Sequence, residues 1–118
     1  KFPAGVIGTT MENLRAAAAG EHEEWVDDYP KFADIAAEEG FPAIAAMYRN
    51  IAIAEKGHEE RYLDLLKNVE EGSVFKKDGK VFWQCRNCGF IIEAEEAPKA
   101  CPACLHPQSY FEVQKENY

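Results

Sequence analysis

Four cysteines in two short motifs constrain this chain more than any other feature of its sequence. Two Cys-x2-Cys motifs lie near the carboxyl end, with twelve residues between them. Because each motif turns the backbone tightly, its two thiolates can point at one place, and two motifs supply a tetrahedron of soft ligands suited to zinc or to iron. The predicted metal ligands are Cys85, Cys88, Cys101 and Cys104.

A metal ion must provide much of the folding free energy of this region. The residues from 80 to 118 are too few to bury a self-sufficient apolar core. Two disulfide bonds in a secreted domain are the alternative, but adjacent motifs in a chain with no recognisable signal peptide favour a metal. The spacing of the cysteines by itself allows zinc as readily as iron.

The part of the chain before residue 71 has the periodicity of helices. Thr9 and Glu12 form a capping-box pattern ahead of a stretch in which apolar residues recur every three or four positions, as far as Gly40. Pro30 lies inside this stretch, and it predicts a kink or a break around Tyr29 because proline cannot donate the next helical hydrogen bond.

A second periodic stretch follows a three-residue connection at Glu39-Gly40-Phe41 and ends near Gly72. The two stretches predict an αα-hairpin. We expect its core to be an apolar stripe that includes Leu14, Phe32, Ile35, Ile44, Ile51, Tyr62 and Leu65.

The composition of the chain changes after Gly72. Turn-forming residues at 76–80 precede a β-prone run at 81–83 and then the cysteines. We therefore predict a linker over residues 1–9, a helical hairpin over 10–71 and a small metal-stapled β domain over 80–118.

The predicted apolar stripes also carry ionisable residues, which are costly to bury unless they are paired or bound to metal. Glu55 and His58 are three positions apart on one helix face, and Glu21 and Glu24 are likewise on the other helix. A Glu-x-x-His sequence facing further glutamates is how helical bundles hold two iron or manganese ions. A solvated acidic face is the alternative, but the joint placement on both stripes favours a metal site.

Charge and hydropathy argue against two classes of partner. The net charge is −8 and no basic stripe is present, so we expect neither a nucleic acid nor an anionic membrane surface. No apolar run approaches the roughly 18 to 20 residues that span a bilayer.

We expect a cytoplasmic protein. The first residue is Lys1 and not methionine, which indicates a piece of a longer protein.

The cysteine region resembles rubredoxin over residues 82–111. Residues 83–90 are similar to its first cysteine motif with the glycine and aromatic residue that follow, and residues 97–98 and 101–104 are similar to its second. Leu105 departs from the family, where glycine often stands, and the twelve-residue gap is shorter than in free-standing rubredoxins. The resemblance implies one iron that alternates between Fe(II) and Fe(III), while zinc stays possible.

Taken in order, the chain resembles the carboxyl-terminal portion of rubrerythrin. The matching stretches are 19–24, 29–30, 54–59 and the rubredoxin-like tail. The resemblance implies half of a ferritin-like four-helix bundle followed by a rubredoxin-like domain. It also implies a non-haem di-iron peroxidase that reduces hydrogen peroxide to water in oxidative-stress defence, with electrons relayed through the four-cysteine iron.

The resemblance to rubrerythrin assigns roles to five residues of the helical part. Glu21 is implied to be a terminal iron ligand, Glu55 a carboxylate that bridges two irons, and His58 an imidazole ligand. Glu24 matches a glutamate that binds or releases an iron as its redox state changes. Tyr29 matches a tyrosine that hydrogen-bonds a ligand carboxylate, with a buried core tyrosine as the alternative.

Two helices supply only about half of such a di-iron site. The resemblance implies that the other helices come from the amino-terminal half of the same protein or from a second copy, as a homodimer or by helix exchange. It further implies a small electron-donor protein or an NADH-linked reductase. The alternatives are a ferroxidase or iron-handling protein and a zinc-ribbon interaction module without catalysis. We expect His22, Trp25, Asp28 and His106 to be structural or solvent-facing.

Overall fold

The computed structural model describes residues 5–118 and divides into two compact units. The first unit ends at Glu70 and the second spans Glu71–Tyr118. The first is a helical hairpin and the second a small sheet around four cysteines, which confirms the predicted fold class. The linker predicted for residues 1–9 lies partly outside the described residues.

The helical unit consists of two antiparallel arms. Thr9 begins the first arm as a capping box, since its hydroxyl accepts from the Glu12 N–H at 3.3 Å while the Glu12 carboxylate accepts from the Thr9 N–H at 2.8 Å. This confirms the predicted helix start. The helical elements are α1 (Thr10–Glu23), a π segment (Glu24–Asp28), α2 (Tyr29–Glu38) and α3 (Pro42–Glu70).

The first arm widens ahead of Pro30 instead of breaking. In the π segment the Tyr29 N–H donates to the carbonyl of Glu24, five residues back. The ring of a proline inside an α-helix collides with the carbonyl four residues earlier, and a wider turn just before it gives that carbonyl room. The kink or break expected around Tyr29 is therefore a π turn within a continuous helical arm.

The fully buried residues of the hairpin are four alanines and Leu66, whereas the members of the predicted stripe are half-buried, as Leu14, Ile51 and Tyr62 are, or exposed. Small side chains let the helices approach closely, and the large side chains then project from the two-helix layer. The stripe members Phe32, Ile35, Ile44 and Leu65 are between 41% and 45% exposed. The buried residues of the hairpin are Ala18, Ala33, Ala36, Ala45 and Leu66.

The second unit is a three-stranded antiparallel sheet in the order β2-β1-β3. Trp83, in the central strand, pairs with Ile92 on one side and with Val113 on the other. The elements are β1 (Lys76–Cys85), β2 (Ile91–Glu96), a 3-10 turn (Gln108–Tyr110) and β3 (Phe111–Val113).

The turn expected at residues 76–80 is instead the first half of β1. Between its pairs Lys76–Glu96 and Val81–Ala94, β1 advances five residues while β2 advances two. Gly79, with φ +107°, lies in this irregular stretch. The turn-forming residues therefore make a bulge in the strand, which is where glycine is favoured in sheets.

The core of the second unit surrounds the cysteines. Trp83 is fully buried, and its indole N–H donates to the carbonyl of Ala94 at 3.1 Å, so its one polar atom is satisfied. The remaining buried members of this core are Cys85, Ala97, Cys101 and Phe111. Across the part of the chain that the structure describes, no helix combines the length and apolar character needed to cross a bilayer.

Candidate metal centres

The four cysteine sulfurs are spaced as in a metal tetrathiolate. The Sγ atoms of Cys85 and Cys104 are 3.7 Å apart, and those of Cys88 and Cys101 are 3.6 Å apart. A tetrahedron with metal–sulfur bonds of about 2.3 Å has edges of roughly 3.8 Å. All four cysteines are free, so the disulfide alternative does not apply. The donor set fits iron, and it fits zinc as well.

Backbone turns hold both cysteine motifs in the same way. The Gly89 N–H donates to the carbonyl of Cys85 at 2.8 Å, and the Leu105 N–H donates to the carbonyl of Cys101 at 2.9 Å. Gly89 has φ +81° and Leu105 has φ +63°. Leu105 therefore adopts the conformation that glycine takes in the first motif, and it carries the strain that glycine avoids.

The electrostatics of the four thiols call for a cation. The backbone N–H of His106 lowers the pKa of Cys104 to about 6. At Cys88 the N–H of Phe90 also lowers the pKa, but desolvation and hydrogen bonds from the other thiols outweigh it and raise the pKa to about 12. Four thiolates this close repel one another, so all four can be ionised together only around a bound metal.

The helical unit brings a second set of metal-binding groups together. Ligand atoms of Glu21 on α1 and of Glu55 and His58 on α3 all lie within 4.8 Å of one another. Nδ1 of His58 is 2.6 Å from Oε2 of Glu55 and 3.5 Å from Oε2 of Glu21. The Glu21 and Glu55 side chains are only 19% and 14% exposed. We call these three residues the carboxylate cluster.

One oxygen of the carboxylate cluster is unsatisfied. Oε2 of Glu21 is buried and has no hydrogen-bond partner among the described residues. Desolvation, followed by the neighbouring Glu55 carboxylate, raises the pKa of Glu21. Buried polar atoms are rarely left without a partner, and a carboxylate beside another carboxylate is stabilised by a cation. The cluster therefore fits a metal ion by its chemistry as well as by its geometry.

The π segment carries or precedes two further predicted residues that interact electrostatically with the carboxylate cluster. Glu21, Glu24 and Tyr29 are spaced by three and then five positions, and in an α-helix a step of five rotates a side chain about 140° away. The wider π turn reduces that rotation. Desolvation, and next the charge of Glu24, raise the pKa of Tyr29, and Glu24 also raises that of Glu21. Glu24 lies outside the 4.8 Å group, and the roles of both residues stay predictions.

Glu59 is a residue that the sequence patterns did not single out. Its carboxylate accepts from the indole N–H of Trp25 at 2.5 Å and lies 3.0 Å from Nδ1 of His22. The Nζ of Lys56 stands 5.6 Å from the centre of the Trp25 ring. Glu59 is four positions after Glu55, a spacing that could have drawn attention to it, but a glutamate next to an exposed helix face looks like an ordinary surface residue.

The other residues without a predicted role have local structural surroundings. His106 packs its ring edge-on against Tyr110, with centroids 4.5 Å apart, and Nδ1 lies 3.3 Å from the carbonyl of Cys104. Asp28 is the last residue of the π segment and is half-buried. His106 thus supports the second cysteine motif through both its ring and its backbone.

Comparison with known protein families divides the chain as its structure does. Residues 1–66 match the family described as Rubrerythrin, and residues 83–112 match the family described as Rubrerythrin, rubredoxin-like domain. The rubrerythrin of Porphyromonas gingivalis is 63% identical over 117 residues, which are 99% of this chain and 58% of that protein. The rubrerythrin of Nitratidesulfovibrio vulgaris is 50% identical over 99% of this chain and 61% of its own length.

Solved structures of nigerythrin are also similar to this chain. The partially reduced state is 30% identical with a TM-score of 0.53, and the match covers 97% of this chain and 53% of that one. A second structure is described as the fully reduced, all-ferrous state, with the same identity and TM-score. The chain spans little more than half the length of the curated relatives and solved structures that it matches.

Proposed function

From the premise that this chain belongs to the rubrerythrin family, we propose that it forms part of a di-iron peroxidase that reduces hydrogen peroxide to water. The observation that carries the proposal is the carboxylate cluster, in which two poorly exposed glutamates and a histidine converge around an unsatisfied buried oxygen. That the same chain holds four converging thiols, which suit an electron-transfer iron, supports it further.

Each member of the cluster has a distinct part in the proposed site. Glu55 lies nearest to His58 and is proposed to bridge two irons, with Glu21 as a terminal ligand. His58 directs Nδ1 into the cluster, and Glu24 is proposed to bind in one redox state only. Tyr29 is proposed to hydrogen-bond a ligand carboxylate and so to orient it. Bound iron would supply Lewis acidity and the electrons for breaking the O–O bond.

The four-cysteine centre suits electron delivery because it has no position for a substrate. Its sulfurs differ in exposure: Cys85 and Cys101 are buried, whereas Cys88 is exposed and offers an edge to another protein. Iron there would supply one-electron transfer. We propose a small carrier protein or an NADH-linked reductase as the donor. Free thiols are typical of a reducing compartment, so we also propose the cytoplasm.

The remaining ligands are proposed to come from a second pair of helices. A hairpin must cover its apolar face against another layer, and this one leaves large side chains exposed among the described residues. The amino-terminal half of the same protein or a second copy of the chain would complete a four-helix bundle. The exposed residues include Phe32, Ile35, Phe41, Ile44, Met47 and Leu65.

Metal analysis with a visible spectrum tests the proposal on the protein with its bundle complete. We expect three irons per complete unit and the red colour of ferric iron on thiolates. A colourless protein with zinc would instead support the zinc-ribbon alternative. Faster turnover with oxygen than with peroxide, using a reduced rubredoxin donor, would support the ferroxidase alternative.

Substitution of the proposed bridging ligand separates the two metal centres. Glu55→Ala should reduce peroxide turnover by about 100-fold or more, since the metal site loses a ligand, while the red colour persists. Glu60→Ala is the matched control, because Glu60 is an exposed glutamate on the same helix. Retention of peroxide turnover in Glu55→Ala would show that the bridging role is assigned wrongly.

A further inference from the structure

The π segment is only weakly secured by burial. It carries Glu24 and sets the position of Tyr29, yet none of its five described residues is fully buried. A π turn is less favourable than an α turn and persists where surrounding contacts hold it. A specific contact that ties this segment to α3 would therefore decide whether Glu24 and Tyr29 stay beside the cluster.

Glu59 makes that contact from α3. One oxygen accepts from the Trp25 indole inside the π segment, and the other lies 3.0 Å from Nδ1 of His22, one turn earlier. The His22 and Trp25 rings pack edge to face with centroids 5.4 Å apart, so the two partners also contact each other. The Glu59 carboxylate thus contacts both His22, at the end of α1, and Trp25, at the start of the π segment.

Two other contacts between the arms lie farther from the π segment and are more exposed. Arg15 pairs with Glu70, and Asp34 pairs with Arg49. Every side chain in these two pairs is at least 42% exposed, whereas the Glu59 side chain is 17% exposed. Exposed ion pairs contribute little, so these two pairs hold the arms together weakly. The π segment is joined to α3 at Trp25 instead, by the hydrogen bond to Glu59 and by the Lys56 ammonium over the indole ring.

We propose that Glu59 is a positioning residue for the carboxylate cluster. By binding Trp25 and His22 it holds the π turn in the register that presents Glu24 and Tyr29 to the cluster, although it touches no metal itself. The consequence for metal binding rests on the proposed function. The consequence for the backbone of the π turn does not.

Two measurements on the protein with its bundle complete test this proposal. The first is hydrogen exchange of the Tyr29 amide, which donates the π-helical bond to Glu24. The second is the affinity for Co²⁺ at the carboxylate cluster, titrated after the cysteine centre has been filled with zinc. We expect Glu59→Ala to speed the Tyr29 exchange by about 10-fold or more and to weaken Co²⁺ binding by about 10-fold.

Two further variants separate positioning from general stability. Glu59→Gln keeps an oxygen that can accept from Trp25, so it should retain most of the wild-type protection at Tyr29. Glu70→Ala removes the Arg15 pair at the far end of the hairpin, and it should change neither measurement. Equal effects of Glu70→Ala and Glu59→Ala would overturn the proposal, as would unchanged exchange at Tyr29 in Glu59→Ala.

The outcomes also distinguish this proposal from the proposed function. If the wild-type protein takes up no Co²⁺ at the cluster, the metal site is wrong, and the exchange rate at Tyr29 alone decides the role of Glu59. If Co²⁺ binds normally in Glu59→Ala while the Tyr29 amide exchanges faster, Glu59 holds the turn but the turn does not position the ligands, and the proposal is refuted.

Discussion

The two units of this chain hold their metal-binding groups by different means. In the second unit all four thiols come from two short motifs, and the core around Trp83 is complete within the same forty-eight residues. In the first unit, metal-binding groups from two helices converge, and large apolar side chains of the same hairpin stay exposed. One set of metal-binding groups is therefore complete within the chain, and we propose that the other is a half-site completed by a partner.

This contrast explains why the metal-binding atoms of the two sites differ in the hydrogen bonds that they receive. The cysteine motifs supply their own backbone N–H groups to the sulfurs, as the lowered pKa of Cys104 reflects. The carboxylate cluster has Oε2 of Glu21 without a hydrogen-bond partner among the described residues. A local site provides its own supporting groups, whereas a site between layers depends on groups from the next layer.

Loss of one thiol gives the largest expected effect. Structural metal sites of this type provide about 10–16 kcal/mol, so Cys101→Ser should unfold the second unit and leave the hairpin helical. The indole N–H nuclear magnetic resonance signal of Trp83 and the far-ultraviolet helical signal measure the two units separately. Ala103→Ser, at an exposed position of the same motif, is the control. Loss of both signals together would show that the units do not fold independently.

A charge on the exposed apolar face tests the dependence of the half-site on a partner. Ile44→Asp should weaken association of the helical layers by about 10-fold or more, because it removes roughly 1.5–3 kcal/mol of apolar burial and adds a carboxylate. Analytical ultracentrifugation measures the change. Asn50→Asp adds the same charge at an exposed position of α3 and should have little effect. Unchanged association in Ile44→Asp would mean that this face is not the interface.

Leu105 tests whether the backbone turn of the second cysteine motif is strained. Leu105→Gly should stabilise the second unit by about 1 kcal/mol, since glycine adopts φ +63° without the strain that leucine carries. Leu105→Ala has the same strain and should give no such gain. The thermal midpoint of the Trp83 signal reports both variants. A gain with alanine equal to that with glycine would attribute the effect to the exposed side chain instead.

The capping box predicts a small dependence of hairpin stability on pH. The backbone N–H of Thr9 lowers the pKa of Glu12 below its ordinary value of 4.5. A depressed pKa in the folded state means that the stabilisation is present above pH 4.5 and is lost as the pH falls through the folded value. Glu12→Gln should flatten this part of the pH profile of helical unfolding. An unchanged slope would show that the contact contributes nothing in solution.

The structural features that were predicted best are those that depend on residues close together in the sequence. The capping box of Thr9 and Glu12, the three-residue connection and the convergence of the cysteines all follow from short spacings. Pro30 predicted a disturbance in the right place, but not its form. Whether a helix kinks, breaks or widens depends on contacts such as that between Trp25 and Glu59, which join residues 34 positions apart.

Long-range packing accounts for the features that sequence patterns did not predict. Ile44 and Leu65 belong to an apolar stripe and are exposed. We propose that another helical layer covers them. Periodicity identifies an apolar stripe, but it does not identify the layer that covers it. Residues 76–80 belong to β1, with Lys76 paired to Glu96 and a bulge before Val81, despite their turn-forming composition. In this unit, tertiary strand pairing overrides local propensity.

Anomalous scattering at the iron edge, from crystals of the protein with its bundle complete, tests the central claim most directly. The account predicts one peak among the four cysteine sulfurs and further peaks between Glu21, Glu55 and His58. A peak at the cysteines alone, with the Glu21 carboxylate bonded to protein or water, would contradict it.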